Sequence, residues 1–145
     1  MITVKQLLRS KGRAIWSIGP EATVYEALRL MAEKDVGALL VLDASGGLAG
    51  ILSERDYARK VVLKGKTSRD TAVREIMTEK VICVRADQNL EECMALMTHK
   101  RVRHLPVLEN HQLVGVISIG DVVKAIISEQ EFMIEQLENY ITGSR

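Results

Sequence analysis

Gly50-Ile51-Leu52-Ser53-Glu54-Arg55-Asp56 recurs further along the chain as Gly115-Val116-Ile117-Ser118-Ile119-Gly120-Asp121. Both stretches read glycine, two aliphatics, serine, two variable positions, aspartate. The aliphatic pair is buried-strand material, and Ser-x-x-Asp belongs where a strand gives way to a helix. Hydroxyl and carboxylate then point out at one edge, which is a place to hold a ligand. Taken singly, such a segment is often only a helix cap that satisfies orphan backbone N–H groups. Its weight comes from the repeat around it.

A shift of 66 residues lays Lys34-Asp35-Val36 on Lys100-Arg101-Val102, and Leu39, Val41 and Leu42 on Leu105, Val107 and Leu108. It also lays Val24, Ala27, Leu28 and Met31 on Leu90, Cys93, Met94 and Met97. After a one-residue deletion the offset becomes 65 and superposes the two glycine-to-aspartate stretches. Two copies of one unit make up most of the chain, with expected boundaries at 1–66 and 67–145.

At 145 residues the chain can bury a real core, whereas either half alone would be marginal. One Phe, one Trp and three Tyr leave the core to aliphatics and Met, and offer few rings on which the bases of a nucleic acid could stack. The net charge of +1 announces neither a polybasic membrane segment nor a DNA-binding face. Residues 1–80 carry fourteen basic and ten acidic side chains, so partners of the first half are expected to be anionic. Cys83 and Cys93 form no C-x-x-C and are expected to be buried free thiols, not zinc ligands. No signal peptide or membrane-spanning run is recognisable, which leads to an expectation of a cytoplasmic protein, or one of an organellar matrix after removal of a transit peptide.

The pattern predicts a short lead-in helix over 3–9, a strand over 14–18 stopped by Gly19-Pro20, and a helix capped by Thr23 with Glu26 closing a capping box. A hairpin follows, 38–42 and 48–52 around Asp43-Ala44-Ser45-Gly46-Gly47, then a helix opened by Asp56 and running through Leu63. After the linker 64–68 the order repeats: lead-in helix 73–77, strand 81–84, helix 90–98, and a hairpin of 105–108 with 113–118. The last helix, from Asp121 to about Tyr140, keeps an apolar stripe through Val122, Ile126, Met133, Leu137 and Ile141, more than one small domain has to cover. Such an overhang points to a second subunit.

This α+β arrangement of two β-α-β-β-α units resembles the cystathionine β-synthase (CBS) domain pair, or Bateman module, over nearly the whole chain. The likeness is carried by Ser53-Glu54-Arg55-Asp56-Tyr57, Ile76-Met77-Thr78, Arg103-His104-Leu105-Pro106-Val107 and Ser118-Ile119-Gly120-Asp121-Val122-Val123-Lys124. It is similar to bacterial and plant-organelle proteins that consist of this module and little else. The resemblance implies a pseudo-two-fold pair with helices mediating a homodimer, and two clefts for adenosine compounds as regulatory ligands. AMP is favoured, with ADP, ATP, NAD(H) and S-adenosylmethionine as other family ligands. Carried over by position, one cleft uses Ile51, Ser53, Arg55 and Asp56 with Ile82, Arg103, His104 and Pro106. The other uses Val116, Ser118 and Asp121 with Ala14, Trp16, Gly37 and Ala38. A carboxylate accepting ribose hydroxyl protons, and serine and arginine donating to phosphate, make chemical sense of the set.

Arg55 and Arg103 make the first set the more cationic, which predicts a preference there for the more highly charged phosphate. Arg59, Lys60, Lys64 and Lys66 read as a solvated helix face, and Gly50 and Gly115 as strand residues with no special task. His104 has no nucleophile or carboxylate at recognisable spacing and reads as a packed histidine at the edge of the ligand; His99 and His111 read as surface residues. Neither a P-loop nor a Gly-x-Gly-x-x-Gly turn is present, and no metal-ligand cluster or activated nucleophile is legible. The expectation is therefore a non-enzymatic nucleotide sensor without catalytic cofactor or metal, acting on a partner protein. The alternative is an interaction scaffold with vestigial clefts; neither membrane nor nucleic acid is an expected partner.

Overall fold

In the computed structural model, which describes residues 1–143, the elements are α1 (Val4–Lys11), β1 (Ser17–Ile18), α2 (Val24–Lys34), β2 (Ala38–Leu42), β3 (Leu48–Ser53), α3 (Glu54–Tyr57), α4 (Val73–Ile76), β4 (Val84–Arg85), α5 (Leu90–Lys100), β5 (His104–Glu109), β6 (Gln112–Ser118) and α6 (Ile119–Thr142). Two three-stranded sheets result, ordered β1-β2-β3 and β4-β5-β6. Each has one parallel and one antiparallel pairing, and each hairpin carries a register irregularity at the matching place, Val41/Leu42 and Val107/Leu108. The two repeats in the sequence are thus two copies of one fold.

The chain divides into a unit of Ala14–Ile82 and a unit of Met1–Arg13 with the chain from Cys83 onward. This division differs from the sequence repeats 1–66 and 67–145 by an exchange of lead-in helices. In the second of these units Val4 N–H donates to Gln88 O at 2.8 Å and Lys5 N–H to Ala86 O at 2.9 Å, fixing α1 on the second repeat. In the other, Val73 N–H donates to Ala22 O at 2.8 Å and Arg74 N–H to Pro20 O at 2.9 Å, fixing α4 on the first.

In the Ala14–Ile82 unit, Val24, Ala27 and Met31 of α2 bury the stripe their spacing predicts against Leu39, Val41 and Leu52 of the hairpin, and Val73 and Ile76 of α4 close the cluster. The other unit repeats this with Leu90, Cys93 and Met97 of α5, Leu105, Val107 and Ile117 of the sheet, and Val4, Leu7 and Leu8 of α1, all buried. Cys93 is fully buried and burial, with Glu92 and Glu91 nearby, pushes its thiol up to about 11; Cys83 is only half-buried, and burial raises it as well.

Several boundaries differ from expectation. The first strand of each repeat shortens to Ser17–Ile18 and Val84–Arg85, because only those residues meet the following strand in parallel register. The helix after β3 begins at Glu54 with Ser53 as its cap, so Asp56 is its third residue and not its opening one. Its continuation, Ala58–Val62, widens into a π-helical turn. Thr23 accepts from Glu26 N–H at 3.1 Å as expected, but no return bond from Thr23 N–H to the Glu26 carboxylate completes the box.

Gly50 and Gly115 turn out to have a task. A Cβ on Gly50 would stand 2.9 Å from Met77 Sδ and 2.9 Å from Thr78 O, and one on Gly115 would stand 2.8 Å from Leu8 Cδ2. Each glycine lets a lead-in helix back directly onto a strand. The last helix spans 24 residues, yet Val122 alone is buried on it; Ile127, Phe132, Met133, Ile134, Leu137 and Ile141 are exposed.

Candidate functional site

Each signature builds the same box at the end of its sheet. In the Ala14–Ile82 unit, Asp56 N–H donates to Ser53 Oγ at 3.2 Å, while Asp56 Oδ2 accepts from Ser53 N–H at 2.9 Å and from Ser53 Oγ at 3.1 Å. In the other unit, Asp121 N–H donates to Ser118 Oγ at 3.1 Å and Asp121 Oδ2 accepts from Ser118 N–H at 2.8 Å. Both are complete capping boxes. The cap reading and the ligand reading therefore describe the same side chains: the cap fixes the rotamer that a ligand would meet.

The first residue of each helix also bonds back to the start of the middle strand. Glu54 N–H donates to Gly37 O at 3.1 Å and Ile119 N–H to Arg103 O at 2.8 Å. Register then places Ala38 opposite Ser53 and His104 opposite Ser118. Inside one unit the structure thus gathers Gly37, Ala38, Ser53 and Asp56, and inside the other Arg103, His104, Ser118 and Asp121. Trp16 lies in the first unit, its carbonyl accepting from Leu40 N–H at 3.2 Å, with its ring half-exposed and Lys34 Nζ 4.4 Å from the ring centroid. Ile51 is bonded to Thr78 through both main-chain groups, Arg55 and Ile82 are half-buried, and Ala14 is exposed. Pro106 is buried opposite Val116, and Arg103 is exposed. His99 and His111 are surface residues.

Two lysines outside the expected contact set join the boxes. Lys60 Nζ lies 3.0 Å from Asp56 Oδ1 and donates to Ile76 O at 2.9 Å, so it is not a merely solvated residue. Lys11 Nζ lies 2.6 Å from Asp121 Oδ2 and donates to Val116 O at 2.5 Å. The acid–lysine spacing of four on one helix could have revealed Lys60. For Lys11, at the far end of the chain, no local signal exists.

Burial pushes the Asp121 carboxyl up, but the Lys11 bond, the Ser118 N–H, the Lys11 charge and the Ser118 hydroxyl together hold it below the usual carboxylate range. Beside it His104 is held below the ordinary histidine value, first by burial, then by the Lys11 charge; Asp121 acts the other way and Arg103 adds to the lowering. At neutral pH this unit's box therefore sets the Asp121 carboxylate against Lys11, with a neutral imidazole beside them. A groove of about 750 Å³ opens beside it between α1 and α6, lined among others by Leu7, Lys11, Asp121, Lys124, Ser128 and Phe132. Among the described residues no group of three or more His, Cys, Asp or Glu could hold a metal ion, and no helix is long and apolar enough to cross a membrane.

The profile of the CBS domain matches residues 1–63 and 73–128. The chain belongs to the CBS-domain family. Among its relatives, the mitochondrial CBS-domain protein CBSX3 of Arabidopsis thaliana is 39% identical over 97% of this chain and 72% of its own length. A CBS-domain protein of known structure from Burkholderia ambifaria is 53% identical with a TM-score of 0.85, covering 89% of this chain and 96% of its own. The CBS domain pair of protein MJ0100, solved with 5′-methylthioadenosine and S-adenosylmethionine, shares the fold at 21% identity and a TM-score of 0.78, over 89% of this chain and 98% of its own. The CBS pair accounts for the repeat, the paired sheets and the two matching boxes.

Proposed function

We propose that this CBS pair is a regulatory sensor of adenosine compounds, with AMP favoured over ATP, NAD(H) and S-adenosylmethionine, and that it passes the signal to a partner protein. The observation that carries the reading is the pair of matching boxes, Ser53–Asp56 and Ser118–Asp121, each holding a carboxylate in a fixed rotamer at a strand-to-helix edge. A carboxylate so placed can accept the two hydroxyl protons of a ribose. The adenosine derivatives bound by the MJ0100 pair support the ligand class. The contact residues proposed are those that the family resemblance carries over, with Asp56 and Asp121 the pair to test first.

The sensor works without chemistry on the ligand. A bound nucleotide shifts the protein only by the difference in its affinity for two arrangements, so a ligand that binds both equally well reports nothing. The test is isothermal titration with AMP, ATP, NADH and S-adenosylmethionine on the intact chain and on Asp56→Ala and Asp121→Ala. Saturable binding that weakens in the variants supports the sensor. Silence of the intact chain towards all four at millimolar concentration overturns it in favour of a scaffold, a reading supported by the exposed apolar side chains along α6.

A further inference from the structure

The two signature carboxylates receive an amine from unrelated places. Lys60 follows Asp56 by four residues on the same helical segment and reaches it across one turn. Four residues after Asp121 stands Ala125, so the second signature cannot be served that way. There the amine comes from Lys11, at the last residue of α1. The lead-in helices repeat this lysine as a residue type but not its ion pair. The main-chain bonds of Val4 and Val73 superpose α1 on α4, which sets Lys11 against Lys80, an exposed residue with no ion pair among the described residues.

Duplication alone would have copied one solution into both halves. Two different routes that bring an ammonium to the signature aspartate, to Oδ1 of Asp56 and to Oδ2 of Asp121, indicate that the requirement lies with the carboxylate. In both cases the lysine also donates to a backbone carbonyl of its own unit, Ile76 O or Val116 O, so the ammonium is tied at two points and held against the aspartate.

We propose, resting on the sensor reading above, that Lys11 and Lys60 set the charge class of the ligand. A bare carboxylate that accepts ribose hydroxyls leaves a full negative charge within the length of a nucleotide of its phosphates. The bound ammonium cancels that charge and presents a cation to the phosphate, while the carboxylate keeps acceptor capacity: in Asp121 both Ser118 N–H and Lys11 bind Oδ2, which leaves Oδ1 to the ligand, and in Asp56, where Ser53 takes Oδ2 and Lys60 takes Oδ1, a ligand shares Oδ1 with the ammonium through its second lone pair. The lysines thus admit phosphorylated adenosine without displacing the ribose contact. Because each box has its own ammonium, the Arg55 and Arg103 pair does not make the first set the only cationic one.

The experiment compares AMP with adenosine by isothermal titration of the intact chain, of Lys11→Met with Lys60→Met combined, and of the same two positions changed to Arg. Loss of one charge-assisted contact corresponds to roughly a tenfold fall in affinity, so the methionine protein is expected to bind AMP about tenfold or more weakly and adenosine nearly unchanged. The arginine protein should restore AMP. Equal loss of AMP and adenosine, or no loss of either, overturns the charge-setting role and leaves the sensor standing. An intact chain that binds neither compound overturns the sensor reading and this inference with it. Should the double methionine protein fail to fold, the single variants, one in each unit, carry the same comparison.

Discussion

The carbonyl oxygen of Thr78 lies 2.9 Å from the place a Cβ on Gly50 would occupy, and the same oxygen accepts from Ile51 N–H at 3.0 Å. A main-chain group tied into the adjacent bond cannot swing away. At Gly115 the obstacle is instead the end of a side chain, Leu8 Cδ2 at 2.8 Å. Gly50→Ala is therefore expected to destabilise by about 2 to 3 kcal/mol and Gly115→Ala by about 1 to 2 kcal/mol, within the range of overpacking costs. Urea unfolding of the two variants checks the order; a smaller loss for Gly50→Ala would show that α4 yields more readily than the geometry allows.

Ser53 and Ser118 each satisfy the helix N–H of the aspartate three residues on, at 3.2 Å and 3.1 Å. Removing an N-cap hydroxyl costs about 1 kcal/mol. Ser53→Ala and Ser118→Ala should lower stability by about that amount and also loosen the rotamer of the aspartate. Ser→Asp at the same positions supplies a cap but sets a second carboxylate against the first. It is expected to recover less of the lost stability than Ser→Thr, and thermal unfolding of the series measures the difference.

His104 and Asp121 give stability a pH dependence of known sign. His104 is held low mainly by burial, so as pH falls through about 6.5 the unfolded chain takes up its proton first and stability declines. Asp121 is also held low: its contribution is present above the unfolded carboxylate value and is lost as pH falls through the folded one. Two separate losses are expected, one starting below about pH 6.5 and one below about pH 4. His104→Gln should flatten the first and leave the second, and Lys11→Met should shrink the second, because the bond that holds Asp121 low is then gone. Unfolding free energies measured between pH 3 and 8 decide this; an unchanged upper loss in His104→Gln would assign it elsewhere.

The hairpins, the helices α2 and α5, and the two serine–aspartate signatures were legible because each depends on local rules: alternation, the 3.6 period and capping. What was not legible depends on partners distant in the chain. The task of Gly50 and Gly115 appears only when Met77, Thr78 and Leu8 are in place, and Lys11 gains its role only when α1 lies on the second repeat. The short strands were overestimated for a related reason: 14–18 is apolar enough for a strand, but β2 offers parallel register only to Ser17 and Ile18. Lys60 is the intermediate case. Its spacing from Asp56 was visible, whereas its second anchor at Ile76 O, which distinguishes it from a solvated lysine, was not.

The second half of α6 is expected to be where copies of the chain associate. Ile134, Leu137 and Ile141 follow one another at spacings of three and four and share a face, with Met133 beside it, and all are more than half exposed. That stretch carries Glu131, Glu135 and Glu138, Glu129 lies just before it, and no Lys or Arg follows Lys124 in the helix. Two such helices in contact gain from apolar burial and lose from like charge. Added salt shortens the reach of the repulsion to about 3 Å at 1 M, so association through this face should strengthen with salt, opposite to an interface held by ion pairs. Because Val122 is the only buried residue of α6, a chain ending at Ser128 should remain folded by circular dichroism and lose the association. Light scattering of both forms from low to high salt is the measurement; an unchanged mass after truncation, or a mass that falls with salt, places the interface on another surface.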